Sequence, residues 1–237
     1  MHGVILLAAG SGNRMKGEVK DKLLHPIQDS NAFRLSAEAF LAVIKIKFIV
    51  VVFRNEEQMH SLKLEFATAC KNTGREFQPR YVRGGKARKD SVNNGLMILP
   101  NDCRFVQVHD CARPMIRPST ISLITEEVFE KGAVVVGRPM TDTVRKLSHP
   151  ELEPSVPQNT QTIDRSTLWT METPQASDKK WLIDALALSR SSSKAVTDEV
   201  SALELIGKKV AFHNLDYPNP KITTSDDFLF INYLLSK

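Results

Sequence analysis

Residues 4–12, Val4-Ile5-Leu6-Leu7-Ala8-Ala9-Gly10-Ser11-Gly12, are an apolar run that ends in a glycine-rich turn. A strand with one wet face alternates apolar and polar residues. One that is apolar at every position is buried on both faces, as in a parallel sheet covered by helices. The stretch therefore predicts an α/β fold whose first strand opens into a loop. Strand-like runs recur at residues 48–53, 104–108 and 133–136. Helical spacing fills residues 33–43, and 90–99 reads as a helix headed by Asp90-Ser91. In 119–131 Ile121, Ile124 and Val128 share a face after Pro118, and 224–235 opens with a Thr-Ser-Asp-Asp capping pattern. Strands thus alternate with helices, the pattern of a mostly parallel sheet.

Residues 138–175 break this rhythm. They carry Pro139, Pro150, Pro154, Pro157 and Pro174 between short β-prone pieces, with no apolar run long enough for a buried strand. Such an excursion cannot build its own core, so it is expected to be an arm that wraps the domain or packs on a second subunit.

The 237 residues fit one large α/β domain or two small ones. The formal charge of +5 allows nucleic acid or small phosphorylated ligands as partners. The cations fall in short clusters (Arg14, Lys16, Lys20, Lys22; Arg83, Lys86, Arg88, Lys89) without an aromatic-interleaved basic stripe. Small phosphate ligands are therefore expected, and no nucleic acid. Cys70, Cys103 and Cys111 have spacings of neither a disulfide framework nor a metal site. No apolar run approaches the ~20 residues of a membrane span. No leader precedes the first strand, so a cytoplasmic protein with no membrane partner is expected.

The loop from Ala8 to Met15 places Arg14 where a phosphate chain would lie if backbone N–H groups cradled it. It is not a P-loop, which needs Gly-Lys followed by Ser or Thr, and it lacks the third glycine of a dinucleotide fingerprint. On its own, it is either a phosphate-binding turn or a plain strand-to-loop turn. Further along stand Lys22, Asp90-Ser91, His109-Asp110-Cys111-Ala112-Arg113-Pro114, Asp142-Thr143, Thr173-Pro174-Gln175, Thr197-Asp198 and Lys221-Ile222-Thr223.

In the order and spacing of these motifs, across nearly its whole length, the chain resembles the 2-C-methyl-D-erythritol 4-phosphate cytidylyltransferases. The resemblance implies one Rossmann-like nucleotidyltransferase domain over residues 1–237, with a β-arm at about 138–175 that makes a homodimer. It implies transfer of CMP from CTP to the polyol phosphate with release of pyrophosphate, in the non-mevalonate isoprenoid pathway, with Mg²⁺ sharing the charge. Ala8, Ala9, Gly10, Gly12, Gly84, Gly85 and Ser91 would hold the nucleotide. Arg14 and Lys22 would stabilise the triphosphate, and Arg165 and Lys221 would grip and orient the attacking phosphate. Asp110, Arg113, Thr143, Thr173 and Thr197 would serve the acceptor, with Asp110 also a candidate metal ligand. Thr143 and Arg165 would act across the dimer. His109 is read as structural, because the other histidines show no ligand spacing.

The chain departs from the family pattern at three places. The family usually has Pro where this chain has Asp21, an acidic residue where it has Lys86, and an aliphatic one where it has Pro220. Asp21 is expected to set a negative charge beside Lys22. The nearest rival is ribitol 5-phosphate cytidylyltransferase, which usually has Gly where this chain has Ala9. A different class, a non-catalytic sugar-nucleotide or nucleic-acid-binding protein on the same fold, also fits the fold alone.

Overall fold

The computed structural model describes residues 1–10, 19–153, 155–191 and 195–237. Gly12, Arg14 and Pro154 thus lie outside the described residues. Among those described, a seven-stranded sheet is built from β1 (His2–Leu7), β4 (Ile46–Phe53), β5 (Arg80–Arg83), β6 (Phe105–Asp110), β7 (Ala133–Pro139), β10 (Trp169–Asp178) and β11 (Ala211–Asn214). Their order across the sheet is β11-β7-β10-β6-β1-β4-β5. Every neighbouring pair is parallel except the two that β10 makes, so β10 alone runs backwards. Two small antiparallel ribbons stand apart, β2 (Pro26–Ile27) with β3 (Ser30–Asn31), and β8 (Val144–Leu147) with β9 (Thr160–Ile163).

The unbroken apolar run of β1 is explained by its two faces. Val4 and Leu6 pack with residues of α1 (Ala32–Leu41), α2 (Glu56–Thr73) and α7 (Asp226–Leu235). Ile5 packs on the opposite side with residues of α3 (Arg88–Ile98), α5 (Lys179–Leu188) and α6 (Glu199–Leu205). A third cluster joins Ile124 and Val128 of α4 (Pro118–Lys131) to Val134 and Val136 of β7. The result is a helix–sheet–helix sandwich with two apolar layers, the α/β architecture expected from the sequence. The helix over 33–43 is α1, whose Asn31 side chain caps Arg34 N at 2.9 Å. Of the capping pattern at 224–235 only the acidic half forms: the Asp227 carboxylate receives the N–H groups of Thr223 and Thr224, while the N-cap Ser225 makes no side-chain cap bond.

The excursion is shorter than its prolines suggest. Residues 169–175 lie in β10 near the middle of the sheet, between β6 and β7, and not in an arm. The rule that a buried strand is apolar fails here because Glu172, Thr173, Gln175 and Ser177 are all buried. All but Ser177 find hydrogen-bond partners: Glu172 takes Arg138 Nε at 2.7 Å, Thr173 takes Asp110 N at 3.1 Å, and Gln175 takes Glu199 N at 3.0 Å. Pro174 is tolerated because the ladder to β7 shifts register between Met171 and Gln175. What remains outside the sheet is the β8–β9 ribbon with its flanking turns.

At the root of the ribbon, β7 passes close to β10. A Cβ on Gly137 would lie 2.6 Å from Thr170 O. Gly137→Ala should therefore push the two strands apart and cost about 1–3 kcal/mol. For a chain of this size that is a fall in Tm of roughly 2–4 °C per kcal/mol, read by calorimetry.

Candidate active site

Register places Leu7 of β1 beside Val52 of β4 on one side and Asp110 of β6 on the other. Beyond these strand ends the chain turns away and leaves a cleft of about 490 Å³, where ligands of open α/β sheets bind. Among the described residues that line it, Lys22, Arg54, Lys86, Arg88 and Lys221 are cationic and only Asp110 is acidic. The cleft is built for an anion of high charge.

Asp110 ends β6 with a side chain 12% exposed. Arg88 Nε donates to its Oδ1 at 3.2 Å, and Lys221 Nζ donates to its Oδ2. Burial alone would raise the carboxyl, but the charges of Arg88 and Lys221 outweigh it and hold Asp110 ionised well below the usual carboxylate range. Arg88 also meets Glu199 of α6 through two parallel hydrogen bonds, Nη1 to Oε1 at 2.7 Å and Nη2 to Oε2 at 2.9 Å. Burial raises the Glu199 carboxyl, with Arg88 opposing. One guanidinium thus joins α3, β6 and α6, and one ammonium adds the segment around residue 221.

Lys22 Nζ donates to Ile222 O at 2.8 Å, which brings the two predicted catalytic lysines to one wall of the cleft. The concern over Asp21 is answered by geometry. Its Oδ2 accepts from Arg54 Nη2 at 2.9 Å and Gln58 Nε2 at 2.7 Å, and its Oδ1 accepts from Leu23 N at 2.9 Å. The negative charge is directed to Arg54.

Opposite these groups, the turn from Gly84 to Ser91 passes close to the end of β1. A Cβ on Gly84 would lie 2.6 Å from that of Ala9, so a larger residue would force the two loops apart. Ala8 is buried, while Ala9, Gly10 and Gly85 border the cleft. The helix expected from Asp90 starts earlier, at Arg88, so Ser91 is not its cap. Its hydroxyl instead accepts from Gly85 N at 3.1 Å and donates to Ala87 O at 3.3 Å, fastening the turn.

Two predicted substrate residues lie beneath the cleft rather than on it. Thr173 is buried, its hydroxyl on Asp110 N and 3.1 Å from His109 Nδ1. Arg113 donates to Asn219 O at 2.8 Å and faces Glu172 at 3.5 Å. His109 is fully buried. Thr143, Arg165 and Thr197 are exposed and do not line the cleft. Arg165 Nη1 donates to Thr141 O at 2.6 Å, at the foot of the ribbon. Arg14 and Gly12 lie outside the described residues. Arg54, Gln58, Arg88 and Glu199 escaped sequence reading as site residues. Arg88 stood in a visible basic cluster, but nothing local marked its partner 111 residues away.

A family model described as 2-C-methyl-D-erythritol 4-phosphate cytidylyltransferase matches residues 2–237. A protein of that name from Clostridioides difficile (strain 630) is 30% identical over 236 residues, covering 100% of this chain and 94% of that protein. Another from Bacillus pumilus (strain SAFR-032) is 32% identical over 227 residues, covering 95% and 93%. The crystal structure of 4-diphosphocytidyl-2C-methyl-D-erythritol synthase from Anaerococcus prevotii DSM 20548 superposes with a TM-score of 0.83 at 23% identity. That superposition covers 100% of this chain and 96% of the other, and it shows the shared fold.

Burial lowers the pKa of His109 from the usual 6.5 to about 3. Between those values the unfolded chain takes up a proton that the folded one refuses. Stability therefore falls as pH drops from about 6.5 towards 3, by up to about 1.4 kcal/mol per pH unit from this group. Below the usual Asp value of 3.8 Asp110 adds to the fall, because the unfolded chain protonates it while the folded one keeps it ionised. His109→Gln should be less stable at pH 7 yet show a shallower decline between pH 6.5 and 4.5 in urea titrations. An unchanged slope would contradict a neutral buried imidazole.

Proposed function

The chain belongs to the 2-C-methyl-D-erythritol 4-phosphate cytidylyltransferase family, and from that premise we propose how its cleft transfers CMP from CTP to the polyol phosphate, with release of pyrophosphate. The observation that carries the reading is the set of cationic side chains, Lys22, Lys86, Arg88 and Lys221, that line the cleft at the strand ends together with Asp110. The attacking phosphate monoester is already largely dianionic at pH 7, its second pKa being about 6, so no general base is needed. What costs energy is bringing two anions together. Fixed cations do that work without reorganising, since Asp110 and Glu199 hold Arg88 and Lys221 in place beforehand.

The nucleotide half of the site is formed by Ala8, Ala9 and Gly10 after β1, by Gly84, Gly85 and Ser91, and by the N-terminus of α3, whose first N–H groups suit phosphate. Lys22 serves the triphosphate, with Arg14 and Gly12 completing the loop. Lys221 orients the acceptor phosphate, and Asp110 positions Lys221 while offering its remaining lone pairs to acceptor hydroxyls. Arg113 and Thr173 support Asp110 from below.

Among the described residues no three His, Cys, Asp or Glu side chains converge into a metal cage. That fits Mg²⁺, which keeps several waters and takes one or two carboxylates plus substrate phosphates. Asp110 would hold it, and the ion when bound would supply charge neutralisation at the phosphates. No helix of the described residues is long and apolar enough to cross a membrane.

The acceptor half is completed by a second copy of the chain. Thr143 and Arg165 are exposed on the excursion and away from the cleft of their own chain, which supports their acting across a homodimer through the β8–β9 ribbon. Thr197 lies just before α6, on the exposed side of the Glu199 wall.

Purified enzyme with Mg²⁺ and CTP should release pyrophosphate only when 2-C-methyl-D-erythritol 4-phosphate is added. Turnover with ribitol 5-phosphate instead would move the activity to the sister family, and silence with both would refute it. Lys22→Ala and Lys221→Ala should each lower kcat/KM about 10²–10³-fold. Co-refolded Lys22→Ala and Arg165→Ala chains should recover activity that neither has alone. No recovery would contradict a site shared between subunits.

A further inference from the structure

Arg54 follows β4 at the edge of the cleft, and three hydrogen bonds fix what surrounds it. Its Nη1 donates to Gly10 O at 3.1 Å, and its Nη2 pairs with Asp21 at 2.9 Å, with the Asp21 side chain only 10% exposed. Gln58, capped into the first turn of α2, donates from one Nε2 to both Ala8 O at 3.0 Å and Asp21 Oδ2 at 2.7 Å. Its Oε1 closes the ring by accepting Arg54 N at 2.7 Å. Gly10 after β1 and the Asp21-Lys22 turn are therefore tied to a single pair of side chains.

We propose that Arg54, Asp21 and Gln58 form an ion-paired latch that positions Lys22 and the Gly10 backbone for catalysis, with Arg54 a positioning residue rather than a substrate contact. The inference rests on the cytidylyl-transfer reading for Lys22 but on geometry of its own. Where the related enzymes usually carry a proline before the lysine, this chain carries a carboxylate, and a carboxylate so little exposed needs its cation. A proline fixes a turn by restricting φ; the latch fixes it by a charge-assisted hydrogen bond drawn from a neighbouring strand. Among the described residues the N–H of Asp21 has no acceptor, so a proline there removes no hydrogen bond to any of them.

The latch makes Arg54 necessary only while Asp21 is charged. Arg54→Met should lower kcat about 10–100-fold, the scale of a misplacement near 1 Å, with little change in the KM for the polyol phosphate. Asp21→Pro combined with Arg54→Met should recover most of that loss, at a Tm matched to the parent. A guanidinium that touched the nucleotide directly would not be rescued by any change at Asp21, so failure of the double variant would overturn the proposal, as would an Arg54→Met enzyme of unaltered kcat. Hydrogen exchange at the Leu23 amide, which donates to Asp21, reads the latch without turnover. Arg54→Met should speed it at constant global stability, and unchanged protection would overturn the latch. A parent enzyme with no pyrophosphate release would refute the transfer reading alone.

Discussion

A carboxylate at the end of a fully buried strand has to be met by cations, and the compensation of Asp110 is the constraint on which the site depends. Its partners come from two places, Arg88 at the start of α3 and Lys221 far along the chain. Arg88 in turn needs Glu199 from α6. Because the charges neutralise one another only when all four segments are in place, folding and construction of the site are one event. The cations then face the cleft already ordered, with their side-chain entropy lost during folding rather than on substrate binding.

The same logic explains β10. A strand at the centre of a sheet is normally apolar, yet this one buries Glu172, Thr173 and Gln175. Glu172 holds Arg138 and Asn219, Thr173 steadies the Asp110 backbone, and Gln175 caps the start of α6 through Glu199 N and Val200 N. The strand is a polar spine under the cleft. Its first residues, from Trp169, stay paired with β7 up to the ribbon that Thr143 and Arg165 flank.

What the sequence made legible follows from the range of its signals. Apolar runs report burial on both faces, so β1, β4, β6 and β7 could be read directly, and 3.6-residue spacing marked α1 and α4. Motif order located Lys22, Lys221, Asp110 and the Gly84–Gly85 turn at one cleft. Position by type failed where partners are distant. Nothing near Trp169–Asp178 shows that its polar side chains are satisfied, and nothing near Asp21 shows that Arg54, 33 residues on, will take its charge. Arg113 and Thr173 lie under the cleft rather than on it, because an edge and a floor of one pocket look alike in one dimension.

The two halves of the cleft, one wall from the β1 and β5 turns and one from β6 and residue 221, imply that two phosphates meet between them. The most direct measurement is ³¹P NMR of the enzyme with CTP, Mg²⁺ and 2-C-methyl-D-erythritol 4-phosphate. Paired diester phosphorus signals should grow as free pyrophosphate appears, one equivalent of each. Release of CMP and pyrophosphate without a new phosphorus–oxygen–phosphorus linkage to the polyol, or a spectrum that never changes, would contradict the account.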